Sequence, residues 1–336
     1  MFVQKSPMAL KILLAIISYS IFTVQKYEIL IMIAKFFNKT RPINTLIIIL
    51  VLTFIYILSF FYLTEEAFGV LFFSKKALFF LVLLVTFFII NFIVRKNGLT
   101  KDNSYVLFIL GLCFGMFPFA TLNKHLLITH LVLLLAYRRI YSLRSNKDTI
   151  EKLFDSAFWI GIATIVYPDS FLYLLLIYAA IYTFNKSTIR NILIPLVGFL
   201  TPILIYGVYL LAVDEFNSFN LQLNYSLSFL NYNSLELLIP IALILGYLLW
   251  AIFPTTVKIV TVNNEFRTSW FLLLIHLLIS VIVIILSPNK NGSEFLFMFF
   301  PTAIILTNYL QIVKEKWFKE VFLYLFLVIT ITIYFL

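Results

Sequence analysis

Residues 32 to 66 read MIAKFFNKTRPINTLIIILVLTFIYILSFFYLTEE. A basic stub with Lys35, Lys39 and Arg41 precedes a long uncharged apolar run, and the run ends at Glu65 and Glu66. Spanning ~30 Å of hydrocarbon takes ~20 apolar residues in a helix, and this run is of that length. The stretch therefore reads as a transmembrane helix. Its basic end is held on the cytoplasmic side by the positive-inside rule, and two adjacent carboxylates are delivered to the far side.

The rest of the chain has the same character. Hydrophobic residues make up 62% of the 336, charged residues only 12%, and the mean hydropathy is +1.04. Soluble domains are about half apolar and about a quarter charged, so this much apolar surface needs lipid. We expect an all-α, polytopic integral membrane protein without a soluble domain, forming one helical membrane domain over 32–336. From residue 32 onward there are eleven apolar segments, at about 44–63, 77–94, 104–120, 125–142, 155–168, 170–184, 191–213, 236–253, 270–287, 295–312 and 321–336. The fifth and sixth are short, and read either as two spans or as one re-entrant hairpin. Residues 1–31 contain an apolar run interrupted by Lys11. They read as an interfacial or transmembrane helix, a signal peptide without a small-residue cleavage site, or an extension ahead of a start at Met32.

Charge sets the orientation. If the stub of Lys35, Lys39 and Arg41 is cytoplasmic, the loops on its side hold 18 Lys and Arg and the opposite loops hold four, Lys75, Lys76, Lys124 and Lys290. That bias predicts an inward N-terminus and an outward C-terminus in a bacterial inner membrane. It also accounts for the net charge of +10. The basic residues are spread over short loops with no reading motif, so nucleic acid is not an expected partner. No phosphate-binding glycine loop, internal repeat, cofactor motif or Cys/His spacing for a metal is found. His276, deep in the ninth segment, reads as a neutral hydrogen-bonding core residue.

Candidate chemistry lies on the outward side. Seven carboxylates fall there: Glu65, Glu66, Asp169, Asp214, Glu215, Glu236 and Glu294. Short loops hold them near the membrane surface, where a low-dielectric wall or a neighbouring acid raises a carboxyl pKa toward the range of a general base. Asp169 stands in YPDS at the apex between segments five and six, where Pro168 ends one helix and Asp169 or Ser170 caps the next. The scarce outward cations Lys75, Lys76 and Lys124 are candidates for a phosphate group, although snorkelling lysines have the same pattern. In the loop 213–235, Phe216, Phe219, Leu223, Leu227 and Leu230 recur at helical spacing beside Asn217, Asn220, Asn224 and Asn231. This predicts an interfacial helix with an apolar and an amide face. Amides beside Tyr225 and Tyr232 suit a sugar; an ordinary interfacial aromatic belt gives the same composition.

Two resemblances follow from particular strings. KTRPIN at 39–44 and PLVGFLTP at 195–202, with FFPTAIILTNYL near the end, resemble the polytopic family called domain of unknown function 6427, found in the Bacteroidota, over about 32–336. The resemblance implies an inner-membrane protein and is consistent with a start at Met32. Separately, an acid pair after the first span, the run GIATIVYPDSFLYLLLIYAAIYTFNKSTIR and a Gly-Phe-Leu-x-Pro helix resemble the C-fold multi-span glycosyltransferases, which use polyprenyl-phosphate sugars outside the membrane. That resemblance implies Glu65 or Glu66 as the base, with Asp169 in support. The first outward loop is shorter than that fold's, and its soluble C-terminal domain has no counterpart here. The expectation from a different class is a non-catalytic subunit or assembly factor of an envelope secretion or export machine. Its loops would dock a protein partner, and the chain would be surrounded by membrane lipid.

Overall fold

The computed structural model describes residues 32–63, 70–215, 228–262, 264–288 and 290–336. Thirteen α-helices and short 3-10 turns make up those residues. They are α1 (Met32–Phe37), α2 (Pro42–Leu63), α3 (Val70–Lys96), α4 (Tyr105–Met116), α5 (Pro118–Leu122), α6 (Lys124–Tyr141), α7 (Thr149–Val166), α8 (Leu174–Thr183), α9 (Ile189–Ala212), α10 (Leu235–Val262), α11 (Asn264–Leu286), α12 (Leu296–Ile312) and α13 (Lys316–Thr332). In hydrocarbon each backbone N–H and C=O must be satisfied inside its own segment, which leaves the helix as the form for these runs. Hydroxyls inside the runs follow the same rule: Thr53, Thr86, Thr164 and Thr201 each donate to the carbonyl one turn back, at 2.7–2.9 Å.

Eight helices among the described residues are long and apolar enough to cross a membrane. The other expected crossings are built from shorter pieces. Segment three breaks at Phe117-Pro118, where proline lacks the N–H to continue the ladder, and so becomes α4 plus α5. Segment five starts earlier than its apolar run, at Thr149, because Glu151, Lys152 and Asp155 lie in the first turns of α7. Segment six is a 3-10 turn, Pro168–Tyr173, leading into α8.

Hydrogen bonds between loops define two ends of the bundle. At one end the Ser104 N–H donates to Phe37 O at 2.9 Å, Asn308 Nδ2 to Leu99 O at 2.9 Å, and the Ala34 N–H to Glu320 Oε1 at 3.0 Å. At the other, Ser59 and Tyr334 share a hydrogen bond of 2.8 Å, and Asn123 Nδ2 donates to Ser293 Oγ at 3.2 Å. The α7–α8 hairpin reaches from one end to the other: Lys186 Nζ donates to Asn146 Oδ1 at 3.0 Å at its base, and Tyr167 OH donates to Ser287 Oγ at 2.9 Å at its apex. Eighteen residues of α7 at ~1.5 Å each give about 27 Å. The returning leg is the 3-10 turn Pro168–Tyr173 and the ten residues of α8, so the hairpin joins the two ends with one long and one composite leg.

α4 and α12 form the centre. Every residue of α4, and Leu296 to Leu310 of α12, is buried. α9 lies on the periphery, with only Pro195, Gly198, Pro202 and Leu210 buried. It is held by close approach to α7: a Cβ added at Gly161 would lie 2.6 Å from Phe199 O, and one at Gly198 would lie 2.6 Å from Phe154 O. Small residues let two membrane helices approach in this way.

Candidate functional site

At the end reached by Asn123 and Tyr167, three charged side chains from two loops, those after α7 and after α11, are buried together. Asp169 is 3% exposed, Lys290 3% and Glu294 0%. Charged groups at membrane depth are rare and tend to mark function, so the way each is held matters.

Asp169 enters on the 3-10 turn that Pro168 starts, directly after the extended residue Tyr167. Tyr167, two residues before Asp169, donates its hydroxyl proton to Ser287 Oγ at 2.9 Å. Lys290 lies just past α11 and folds back over its end. Nζ donates to Ile284 O at 2.7 Å and Ile285 O at 2.6 Å. A cation there satisfies the last carbonyls and opposes the negative end of the helix dipole. Its ammonium also sits 5.1 Å from the Phe229 ring centroid. Burial pushes the Lys290 pKa below the ordinary lysine value, while Glu294 and Asp169 pull it back up.

Glu294 is in the 3-10 turn Ser293–Phe295 that leads into α12. Its Oε1 accepts from Tyr232 OH at 2.5 Å and from the Gly292 N–H at 3.1 Å. Its Oε2 is buried without a hydrogen-bond partner among the described residues. Gly292 makes this loop possible, since its φ of +91° is a left-handed value and a Cβ would lie 2.7 Å from Leu237 Cδ2. Tyr232 reaches in from the 3-10 turn Leu230–Asn233. Burial first, then the hydrogen bond and charge of Glu294, push its phenol pKa up. Phe117 stacks on Phe295 at 4.8 Å and walls off one side. Two acids face one lysine, so the cluster carries an excess carboxylate with one oxygen open to an incoming O–H or N–H donor.

The expected site residues are distributed unevenly around this cluster. Asp169 belongs to it. Lys290 and Glu294, each visible in the sequence as an outward cation or acid, belong to it as well. Lys75 is exposed on α3, and Lys76 is half-buried with Nζ 5.7 Å from the Phe60 ring. Lys124 is exposed at the start of α6, whose N-cap is Asn123. Asp214 and Glu215 are exposed after α9. Glu65, Glu66, Asn217, Asn220 and Asn224 lie outside the described residues. The interfacial helix expected over 213–235 falls mostly outside them too; its described end, Leu230–Asn233, is a 3-10 turn and not a continued helix. The partner that sequence reading missed is Tyr167; Tyr232, read from the sequence as an aromatic beside the amides, is found donating to Glu294, and the local sign of the cluster was the i, i+4 pairing of Lys290 with Glu294.

The helices and this buried charge cluster define a polytopic α-helical membrane protein. Within that class the chain belongs to the family of unknown function DUF6427, whose model matches residues 32–336. No curated protein matches the chain, and no solved structure does.

Proposed function

We propose that the protein acts on the outward face of a bacterial inner membrane in envelope glycan assembly, as an enzyme resembling the polyprenyl-phosphate-sugar glycosyltransferases. The observation that carries this reading is Glu294. It is a buried carboxylate fixed through Oε1 by Tyr232 and Gly292, with Oε2 left open. A base oriented through one oxygen and free at the other is suited to take the proton of an acceptor hydroxyl. The acceptor oxygen then bonds to the sugar's anomeric carbon, the carbon–oxygen bond to the lipid phosphate breaks, and the polyprenyl phosphate leaves with that electron pair. Lys290 has one ammonium N–H left after its two carbonyl bonds, and can meet the phosphate oxygen as charge develops on it. Glu294 first and Asp169 second favour the charged form of Lys290 against its burial. Since Glu294 is fully buried, an acceptor reaches it when Tyr232 swings away with its exposed turn, leaving the Gly292 N–H to orient the carboxylate through Oε1.

The outward assignment rests on the charge asymmetry of the loops. Glu294→Gln, Asp169→Asn and the pair Glu65→Gln/Glu66→Gln in the chromosomal gene, scored for glycolipid and surface glycan at unchanged protein level, test the proposal. Loss of product with Glu294→Gln supports it. Full product from Glu294→Gln, with loss from the Glu65/Glu66 pair, moves the base back to the acid pair; full product from all three removes the catalytic reading.

The non-catalytic reading is favoured by a different observation. α9 packs on α7 and α8 and leaves an apolar face outward, with Leu204 at 64% and Val208 at 65% exposure. Lipid or a membrane partner covers such a face. A stoichiometric partner retained in mild detergent and lost with Leu204→Trp/Val208→Trp would establish the subunit role.

A further inference from the structure

α7 and α9 are in close contact at Gly161 and Gly198. Nearer their N-terminal ends, at the end of the bundle where Lys186 meets Asn146, the same two helices leave an open groove between them. Its volume is about 320 Å³, and its apolar walls are Ile150 and Phe154 of α7 with Ile194 and Val197 of α9. That volume lies at the low end of small-molecule sites. Along α7 the groove runs from Ile150 to Asp155, about 8 Å at ~1.5 Å per residue. Because α9 is peripheral, it opens sideways, toward the lipid.

Two acids line the same groove, Glu151 and Asp155. Four residues apart on one helix, they are neighbours, with ~5–6 Å between their Cβ atoms. Asp155 Oδ2 pairs at 2.7 Å with Arg139 Nη2 of α6, and both side chains stay partly exposed. Glu151 is exposed and has no hydrogen bond or ion pair among the described residues. The helix dipole favours an acid in a first turn, which accounts for Glu151 on α7 but not for the apolar groove beside it. Lys152 and Lys186, at the same end, are engaged in the loop between α6 and α7: Lys152 Nζ donates to Ser142 O and Ser145 Oγ, and Lys186 Nζ to Asn146 Oδ1. The groove thus presents a guanidinium and, one helical turn away, a free carboxylate, above an apolar floor.

We propose that this groove binds one molecule of phosphatidylethanolamine. An acyl chain lies against Ile150, Phe154, Ile194 and Val197, the phosphate accepts from the Arg139 N–H groups that Asp155 leaves available, and the primary ammonium donates to Glu151. Charge selects this headgroup. Glu151, Asp155 and Arg139 sum to one negative charge, so an anionic lipid adds repulsion, whereas a zwitterion places its cation on the unpaired acid. A quaternary choline headgroup has no N–H to donate. A partner helix would need an apolar face several turns long, and the groove offers about one and a half turns. The inference rests on the groove and its charges and does not depend on the glycosyl-transfer reading.

The test is native mass spectrometry of the full chain, released from mild detergent after incubation with equimolar phosphatidylethanolamine, phosphatidylcholine and phosphatidylglycerol. The wild type should retain one phosphatidylethanolamine per chain, preferred about fivefold over either other lipid, the upper end for a solvent-accessible ion pair. Equal retention of the three, or preference for another, would overturn the proposal. Glu151→Gln should still hold a lipid but lose the preference; an unchanged preference would overturn the recognition of the ammonium. Val197→Trp, at a position 60% exposed, fills the groove and should abolish retention. Full retention by that variant would place the lipid elsewhere and overturn the site, as would a protein that co-purifies with the wild type and is lost with Val197→Trp.

Discussion

Lys290→Met is the perturbation that most sharply probes the buried cluster. The substitution keeps the aliphatic bulk and removes the ammonium. Two charge-assisted hydrogen bonds to Ile284 O and Ile285 O are lost; each such bond contributes about 1.5–3 kcal/mol. Glu294 and Asp169 remain buried at 0% and 3% exposure without their cation. The two lost bonds together set the scale, about 3–6 kcal/mol, and we expect Lys290→Met to fall toward the lower end of that range because water or the shortened turn takes up part of the loss. Adding Glu294→Gln removes one stranded charge while the amide oxygen still accepts from Tyr232 and Gly292. The double variant should therefore recover roughly 1.5–3 kcal/mol of the loss, within the range of coupling between contacting residues. Unfolding by SDS titration in mixed micelles measures all four corners of the cycle. Additivity of the two single substitutions to within about 0.5 kcal/mol would refute electrostatic coupling of Lys290 and Glu294 and leave Lys290 as a helix cap only.

Other expectations follow from the packing and the topology. Gly161→Ala and Gly198→Ala each place a Cβ 2.6 Å from a carbonyl oxygen of the facing helix; each should destabilise by about 1–3 kcal/mol, and a neutral result in the same titration would contradict the α7–α9 approach. Asn123→Ala removes both the side-chain acceptor for the Leu126 N–H and the bond to Ser293, and should lower stability by about 0.5–2 kcal/mol. In a Cys113→Ala background, Lys75→Cys and Lys124→Cys should react with an impermeant maleimide in intact cells, and Lys101→Cys only after permeabilisation. The reverse pattern would invert the orientation.

Helices were legible because they follow from local rules: a run such as INTLIIILVLTFIYILSFFYL has no other stable state in lipid. Pro168 signalled a break, whereas the one at Pro118 fell inside the segment read as 104–120; neither told how the pieces are tied, which depends on Asn123 meeting Ser293 and Tyr167 meeting Ser287. The charge cluster was legible only as separate residues. Asp169 and Tyr232 are far in sequence from each other and from the pair Lys290 and Glu294, and three of the four meet through 3-10 turns that no periodicity marks. Glu65 and Glu66 drew attention because adjacency is visible in a sequence, whereas convergence is not. His276 read as a lone imidazole for the same reason: Tyr137 and Tyr141 of α6 come against it only in the fold.

Transfer by the purified protein bears most directly on whether Glu294 works as a base. Reconstituted in liposomes with a radiolabelled polyprenyl-phosphate sugar and a hydroxyl acceptor extracted from the cell envelope, the wild-type chain should form product, and Glu294→Gln should lose on the order of 100-fold or more in rate while binding the donor. Equal rates for the two proteins, or no turnover by the wild type while a stoichiometric partner co-purifies, would contradict the catalytic role.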